Sequence, residues 1–234
     1  MTLLAVGHGT RDPDGMATVR ALLDRIRVLR PGLTVAESYA EIAEPSLEDA
    51  LRGMTEPVVA VPLMLGRGYH SLVDIPGRIG RRARVSRPLG PHSLLARALA
   101  DRLREAPYLA DAVVLGAAGT SDPAGAADVD AAARLLGRRL RRTVRYGFAA
   151  SAGPSLPEVV RGLRLRGARR VAIASYLLAP GHFHRCLLDA GADIVSPPLG
   201  VHDALARLVL RRYDETAAVA YPPGGEAKLV RPPL

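Results

Sequence analysis

The chain has 234 residues, 48% hydrophobic and 24% charged, with one cysteine and no tryptophan; these are the proportions of a soluble globular protein long enough for one large domain or two of about 110 residues. The lone Cys186 excludes an intramolecular disulfide and fits a reducing compartment. No apolar run reaches the roughly 18 residues of a membrane span and no basic segment precedes an apolar core, so neither span nor secretory signal is expected and a cytoplasmic location is.

The net charge of +9 comes almost wholly from arginine, with Lys228 the only lysine, and aromatic residues make up 4%. Such a composition reads as the bias of a GC-rich genome and offers no stacking platform, so a nucleic-acid partner is not expected. Arginine equally suits a small polyanion, because guanidinium pairs with carboxylate in bidentate fashion.

Thr2 to Val6 reads as a short buried strand closed by Gly7, with His8 directly after it. Gly15 to Leu29 carries Met16, Val19, Leu22, Leu23 and Ile26 at helical spacing, and Pro31-Gly32 ends it. Thr34 to Tyr39 is a second strand, and a helix starts at Pro45-Ser46-Leu47 with acidic residues in its first turns. Val58 to Leu65 is a continuously apolar third strand, expected to be buried on both faces. A Gly-rich loop then leads to Tyr69-His70, a helix from about Leu72, a short strand near Ala83 to Ser86 and a helix from Pro91 to Arg104. Strands alternating with helices predict a parallel α/β sheet.

After a linker at Pro107 to Asp111 the pattern begins again. Leu4-Ala-Val-Gly-His-Gly-Thr-Arg-Asp-Pro-Asp-Gly15 is echoed by Val114-Leu-Gly-Ala-Ala-Gly-Thr-Ser-Asp-Pro-Ala-Gly125. Pro45-Ser-Leu returns as Pro154-Ser-Leu, and Pro88-Leu-Gly-Pro-His as Pro198-Leu-Gly-Val-His. The expected fold class is therefore α/β, with two similar parallel-sheet, three-layer halves related by internal duplication. Their expected bounds are 1–108 and 109–214, followed by a Pro- and Gly-rich tail at 215–234 with the composition of disorder. The repeat is unequal: Ala118 stands where the first half has His8, and about Ala150 where it has Glu41. A role common to both halves would not need His8, which places the chemistry in the first half.

His8, Glu41 and His70 follow the first three strands, whose carboxyl ends converge on one crevice in a parallel sheet. Two imidazoles and a carboxylate suit borderline divalent metals and leave coordination positions open. Each residue alone also fits a plain structural role, a histidine in a Gly-rich turn or a solvated loop glutamate. His182 and His184 in the second half are candidates for an auxiliary metal or substrate contact, and equally read as exposed histidines at a helix start. His92 and His202 hold equivalent repeat positions at helix starts and read as structural.

Val6-Gly-His-Gly-Thr-Arg11, Glu41-Ile-Ala-Glu-Pro-Ser-Leu47 and Pro62-Leu-Met-Leu-Gly-Arg-Gly-Tyr-His-Ser-Leu-Val-Asp-Ile-Pro76 together resemble the class II chelatase family, the sirohydrochlorin cobaltochelatases and ferrochelatases, in its long duplicated form. The resemblance implies insertion of a divalent metal, cobalt or iron and possibly nickel, into the tetrapyrrole sirohydrochlorin, for siroheme or cobalamin synthesis. It implies that His8 and His70 are catalytic and bind the metal, with His8 also accepting a proton, and that Glu41 faces metal or substrate. Leu65, Gly66, Arg67, Gly68 and Tyr69 match the loop that borders the macrocycle. The chain departs from the family in having Leu63 and Met64 where many members carry an aromatic residue, and Phe183 at the place of His70 in the second half.

Imidazole can ligate a metal and then take a proton because its ordinary pKa lies near about 6.5. Arg11 and Arg67 are candidates for pairing with peripheral carboxylates of the ring. No nucleotide is expected: there is neither a Walker-type Gly-x-x-x-x-Gly-Lys nor a Gly-x-Gly-x-x-Gly fingerprint. A duplicated chain supplies two lobes by itself, so a monomer is expected. The competing reading is a non-catalytic metal or tetrapyrrole carrier on the same fold; a phosphate-handling hydrolase using the His-Gly-Thr-Arg turn leaves the His70 loop and the repeat unexplained.

Overall fold

Strands made of unbroken apolar runs are satisfied only between two layers of helices, and the chain places them there. In the computed structural model, which describes residues 1–105, 110–150 and 153–220, each half builds a four-stranded parallel sheet. The first contains β1 (Thr2–Gly7), β2 (Thr34–Tyr39), β3 (Val58–Pro62) and β4 (Arg84–Val85) in the order β2-β1-β3-β4. The second contains β5 (Ala112–Ala117), β6 (Val144–Phe148), β7 (Val171–Tyr176) and β8 (Ile194–Val195), in the matching order β6-β5-β7-β8. Val6 of the central β1 is level with Ser38 on one side and Pro62 on the other, so three strands end at the same height.

The helices are α1 (Pro13–Leu29), α2 (Leu47–Arg52), α3 (Ile75–Ile79), α4 (Ser93–Arg104), α5 (Pro123–Leu140), α6 (Leu156–Leu165), α7 (His182–Leu188) and α8 (Asp203–Ala220). The Asp12 side chain caps α1 by accepting from the N–H groups of Asp14 and Gly15, and Pro13 occupies the first turn, where its missing donor costs nothing. Of the stripe expected from the sequence, Val19, Leu22, Leu23 and Ile26 are buried and Met16 is half-buried against the same core.

The last helix of each half packs against the other half. Helix α4 crosses to pack on α5 and β7 of the second half, and α8 crosses back to pack on α1, β3 and β4 of the first. Both crossings are fixed in the same way. Arg102 of α4 donates to the carbonyls of Leu199 and Val201, and Arg212 of α8, only 2% exposed, donates to those of Pro88 and Leu89. A largest core then runs through both halves, from Leu3, Val59 and Leu99 to Leu115, Leu205 and Val209. The remaining faces of the two sheets carry smaller separate cores under α2 and α3 and under α6 and α7.

The structure shortens the expected third strand: β3 ends at Pro62 rather than Leu65. The Leu63 N–H still bonds to the Val6 carbonyl at 2.8 Å, but the chain then leaves the sheet, and the Leu65 carbonyl accepts from the Tyr176 hydroxyl of the second half at 2.7 Å. Residues 215–220, expected in the tail, instead belong to α8, where Arg212 donates to the Pro88 carbonyl of the first half and Thr216 to the Arg212 carbonyl one turn back. Residues 221–234 and 106–109, the latter including 107–109 of the expected linker, lie outside the described residues. Among the described residues no helix is long and apolar enough to cross a membrane.

Candidate metal centre

Gly7 ends β1 and hands the chain to His8 at the carboxyl edge of the sheet. The Glu41 N–H donates to the His8 carbonyl at 2.9 Å, which ties the β2 end to the β1 end. Gly9 has φ +98°, and a Cβ there would meet the Glu41 carbonyl oxygen at 1.8 Å, so only glycine lets the two loops close this far. The second half makes the same closure without the polar groups: the Ala150 N–H donates to the Ala118 carbonyl, also at 2.9 Å.

His70 opens a single π-helical turn, His70–Asp74, that runs into α3. The histidine thus sits on a helical turn beginning earlier than the expected Leu72. Its ring lies 4.7 Å from the ring of His8, centre to centre, at 87°. His70 Nε2 is 3.6 Å from Glu41 Oε1, and one ligand atom from each of His8, Glu41 and His70 lies within 4.8 Å of the others. The three residues singled out in the sequence as candidate ligands therefore come together in one cluster. His8 and Glu41 are exposed and His70 is half-buried, so the cluster opens outward and a bound ion would keep free positions.

The sequence did not single out the group behind His70. Asp74 Oδ2 lies 3.2 Å from His70 Nδ1, and Arg78 Nη1 stands 3.5 Å from the same carboxylate oxygen. Arg78 is bound in turn by Glu48 at 2.7 Å and by the Ala40 carbonyl at 2.6 Å. The Arg78 guanidinium holds the Glu48 carboxyl down to about 2, and Glu48 raises Arg78. A carboxylate on Nδ1 fixes the tautomer that leaves Nε2 as a lone-pair donor. The signal was present in the spacing, because residues four apart share a helical face.

The loop Leu65 to Tyr69 borders the cluster, and the Tyr69 ring is 5.7 Å from that of His70. Arg67 is not held open for a ligand. Its backbone N–H and Nε both reach Asp128 Oδ2 at 2.9 Å, and Nη2 reaches Oδ1 at 2.7 Å. Asp128 belongs to α5 of the second half and is 5% exposed, so the loop is anchored across the molecule. Arg11 is exposed at the start of the β1–α1 loop.

In the second half Leu199 bonds to Leu177 as Leu89 bonds to Met64, which puts Phe183 at the place of His70. His182 and His184 are not a pair: residues two apart on a helix face away from each other. His184 Nε2 lies 3.4 Å from the Ser196 carbonyl, whereas His182 Nε2 lies 3.7 Å from Cys186 Sγ. His92 and His202 cap helices, each Nδ1 accepting a backbone N–H, from Leu94 at 3.1 Å and Ala204 at 3.0 Å.

Comparison with known proteins agrees with this duplicated arrangement. The sequence model of the CbiX family matches twice, over residues 2–106 and 112–216. The chain belongs to the CbiX family. A CbiX-type half therefore occurs twice in it, and the two matches coincide with the two sheets. It is 26% identical over 231 residues to a sirohydrochlorin ferrochelatase of Priestia megaterium, covering 88% of this chain and 87% of that one. It is 27% identical over 204 residues to a sirohydrochlorin cobaltochelatase of the same organism, covering 77% of this chain and 65% of that one. The solved structure of SirB from Bacillus subtilis with Fe3+ superposes with a TM-score of 0.78 at 28% identity, covering 93% of this chain and 95% of that one.

Proposed function

We propose that this chain is a sirohydrochlorin chelatase that inserts cobalt(II) or iron(II) into the macrocycle. The observation that carries the reading is the open cluster of His8, Glu41 and His70, present in one half and replaced by Ala118 and Phe183 at equivalent places in the other. Family membership and the ferrochelatase and cobaltochelatase relatives support it.

Insertion exchanges two pyrrole protons for one divalent ion, so the site has to hold the ion weakly, remove its water and accept protons. His70, with Nδ1 turned to Asp74, offers Nε2 to the ion. Glu41 supplies a carboxylate oxygen and offsets the ion's charge. His8, the more exposed of the two imidazoles, is the group we assign as first proton acceptor; its contact with bulk water lets it pass the proton on. Free positions on the ion are then taken by ring nitrogens as the protein ligands let go. Cobalt and iron both suit this donor set, whose affinity follows the general order of the divalent ions, so supply decides which is inserted.

We place the macrocycle between the metal-bearing half, about 1–108, and the second half, whose role is to hold the Leu65–Tyr69 loop and close the other side. Arg11 is our first candidate for a peripheral carboxylate; Arg67 would have to leave Asp128 to serve there. Both lobes come from one chain, so we assign the working unit as a monomer in the cytoplasm.

The test is a multiple-turnover assay. Enzyme at a small fraction of the sirohydrochlorin concentration is expected to convert the whole pool on addition of cobalt(II) or iron(II), read by absorbance. Conversion that stops at one equivalent per chain would instead show a carrier.

A further inference from the structure

A three-residue turn stands beside the metal ligands. The Ala43 N–H donates to the Glu41 carbonyl at 2.6 Å, and Ile42 at its centre has φ +68°. A turn of this hand is rare, and a β-branched residue is poorly suited to positive φ because its two Cβ substituents crowd the backbone. Glycine or asparagine would adopt the turn easily. The backbone purpose is visible: the turn carries the Glu41 carbonyl against Gly9 and its carboxylate to His70.

That purpose does not explain the isoleucine side chain. Ile42 is 57% exposed and belongs to none of the three cores. It has company: Tyr69, whose ring is 5.7 Å from that of His70, and Val73, three residues on along the same helical turn, are also large, apolar and more than half exposed. Apolar groups gathered around an open polar cluster are the rim expected of a site whose ligand is flat and apolar over its faces. Local strain kept next to functional ligands is where a function is to be sought.

We infer that the Ile42 side chain is a substrate contact, an apolar support against the macrocycle face beside the arriving metal. The inference rests on the chelatase reading given above and deepens it. The ring's faces are apolar although its edge bears carboxylates, so a branched aliphatic group held rigidly at the ligand cluster gains contact area without losing much side-chain freedom.

The test compares Ile42→Gly, Ile42→Val and the wild-type chain in cobalt(II) binding, binding of metal-free sirohydrochlorin and turnover. Glycine accepts the positive φ, so cobalt(II) affinity and the thermal midpoint are expected to hold. The lost contact is expected to weaken macrocycle binding and kcat/KM by about tenfold, and Ile42→Val to restore most of it. Unchanged macrocycle binding and kcat/KM in Ile42→Gly would overturn the inference, as would a loss equal in Ile42→Gly and Ile42→Val. A wild-type chain that binds sirohydrochlorin without turning over would defeat the chelatase reading, while the affinity ratio still decides the role of Ile42. A wild-type chain that does not bind it defeats both.

Discussion

His70 Nδ1 lies 3.2 Å from Asp74 Oδ2, one turn further along the same helical segment. The pair converts an otherwise mobile imidazole into a fixed donor, and Arg78 and Glu48 hold the carboxylate from behind. Outer partners of this kind typically govern metal affinity by about 10- to 100-fold. Asp74→Ala is therefore expected to weaken cobalt(II) binding by that factor in a calorimetric titration while the far-ultraviolet dichroism stays native. Asp74→Glu should recover part of the loss.

A second expectation concerns the anchor between halves. Asp128 takes three bonds from Arg67, two of them from the guanidinium, and Asp128 is buried while Arg67 is half-exposed. Asp128→Ala frees Arg67 to water and loosens the loop ahead of His70, with a stability loss of about 1–3 kcal/mol. We expect kcat/KM for metal insertion to fall with it. Arg67→Ala leaves the Asp128 carboxylate buried with only the backbone N–H as partner, so it should destabilise at least as much, measured by urea unfolding.

The third is a dependence on pH. Burial lowers the pKa of His92 and His202, each of which caps an exchanged helix through an unprotonated Nδ1. A group whose folded pKa is depressed contributes stability above its unfolded value, about 6.5, that is lost as pH falls through the folded value. The thermal midpoint should therefore drop from pH 7.5 to pH 5. In the double variant His92→Asn, His202→Asn, which keeps both caps without titrating, the slope over this interval should flatten.

Much of the fold could be read in the residues. Val58–Pro62 is apolar throughout and central, and the Val19, Leu22, Leu23, Ile26 stripe is where the period puts it. His8 stood out because the repeat closes the same turn with Ala118. What was hidden is whatever depends on contact between distant segments. The crossing of α4 and α8 leaves no mark on local periodicity, since each helix has the same apolar stripe whichever sheet receives it. Arg67 looks like a free carboxylate ligand until Asp128, 61 residues away, is seen to occupy it. Asp74 was obscured because the helix was expected to begin after His70, which concealed their four-residue spacing. The strain at Ile42 belongs to backbone angles that residue type argues against.

The crossing also has an energetic consequence. Because α8 fills the core of the first sheet and Arg212 bonds the Pro88 and Leu89 carbonyls, the halves should unfold together. Arg212→Ala strands two carbonyls and removes a packed stem, a loss of about 2–4 kcal/mol. Calorimetry is expected to show one transition at a lower midpoint; two separated transitions would contradict the shared core.

The central claim is that His8 and His70 together deliver the metal. Its most direct measurement is the initial rate of cobalt(II) insertion into sirohydrochlorin for His8→Ala and His70→Ala, each checked for native fold. Either substitution is expected to lower the rate by about 100-fold or more, His70→Ala by loss of a ligand and His8→Ala by loss of a ligand and proton acceptor. Near wild-type rates in both variants would contradict it.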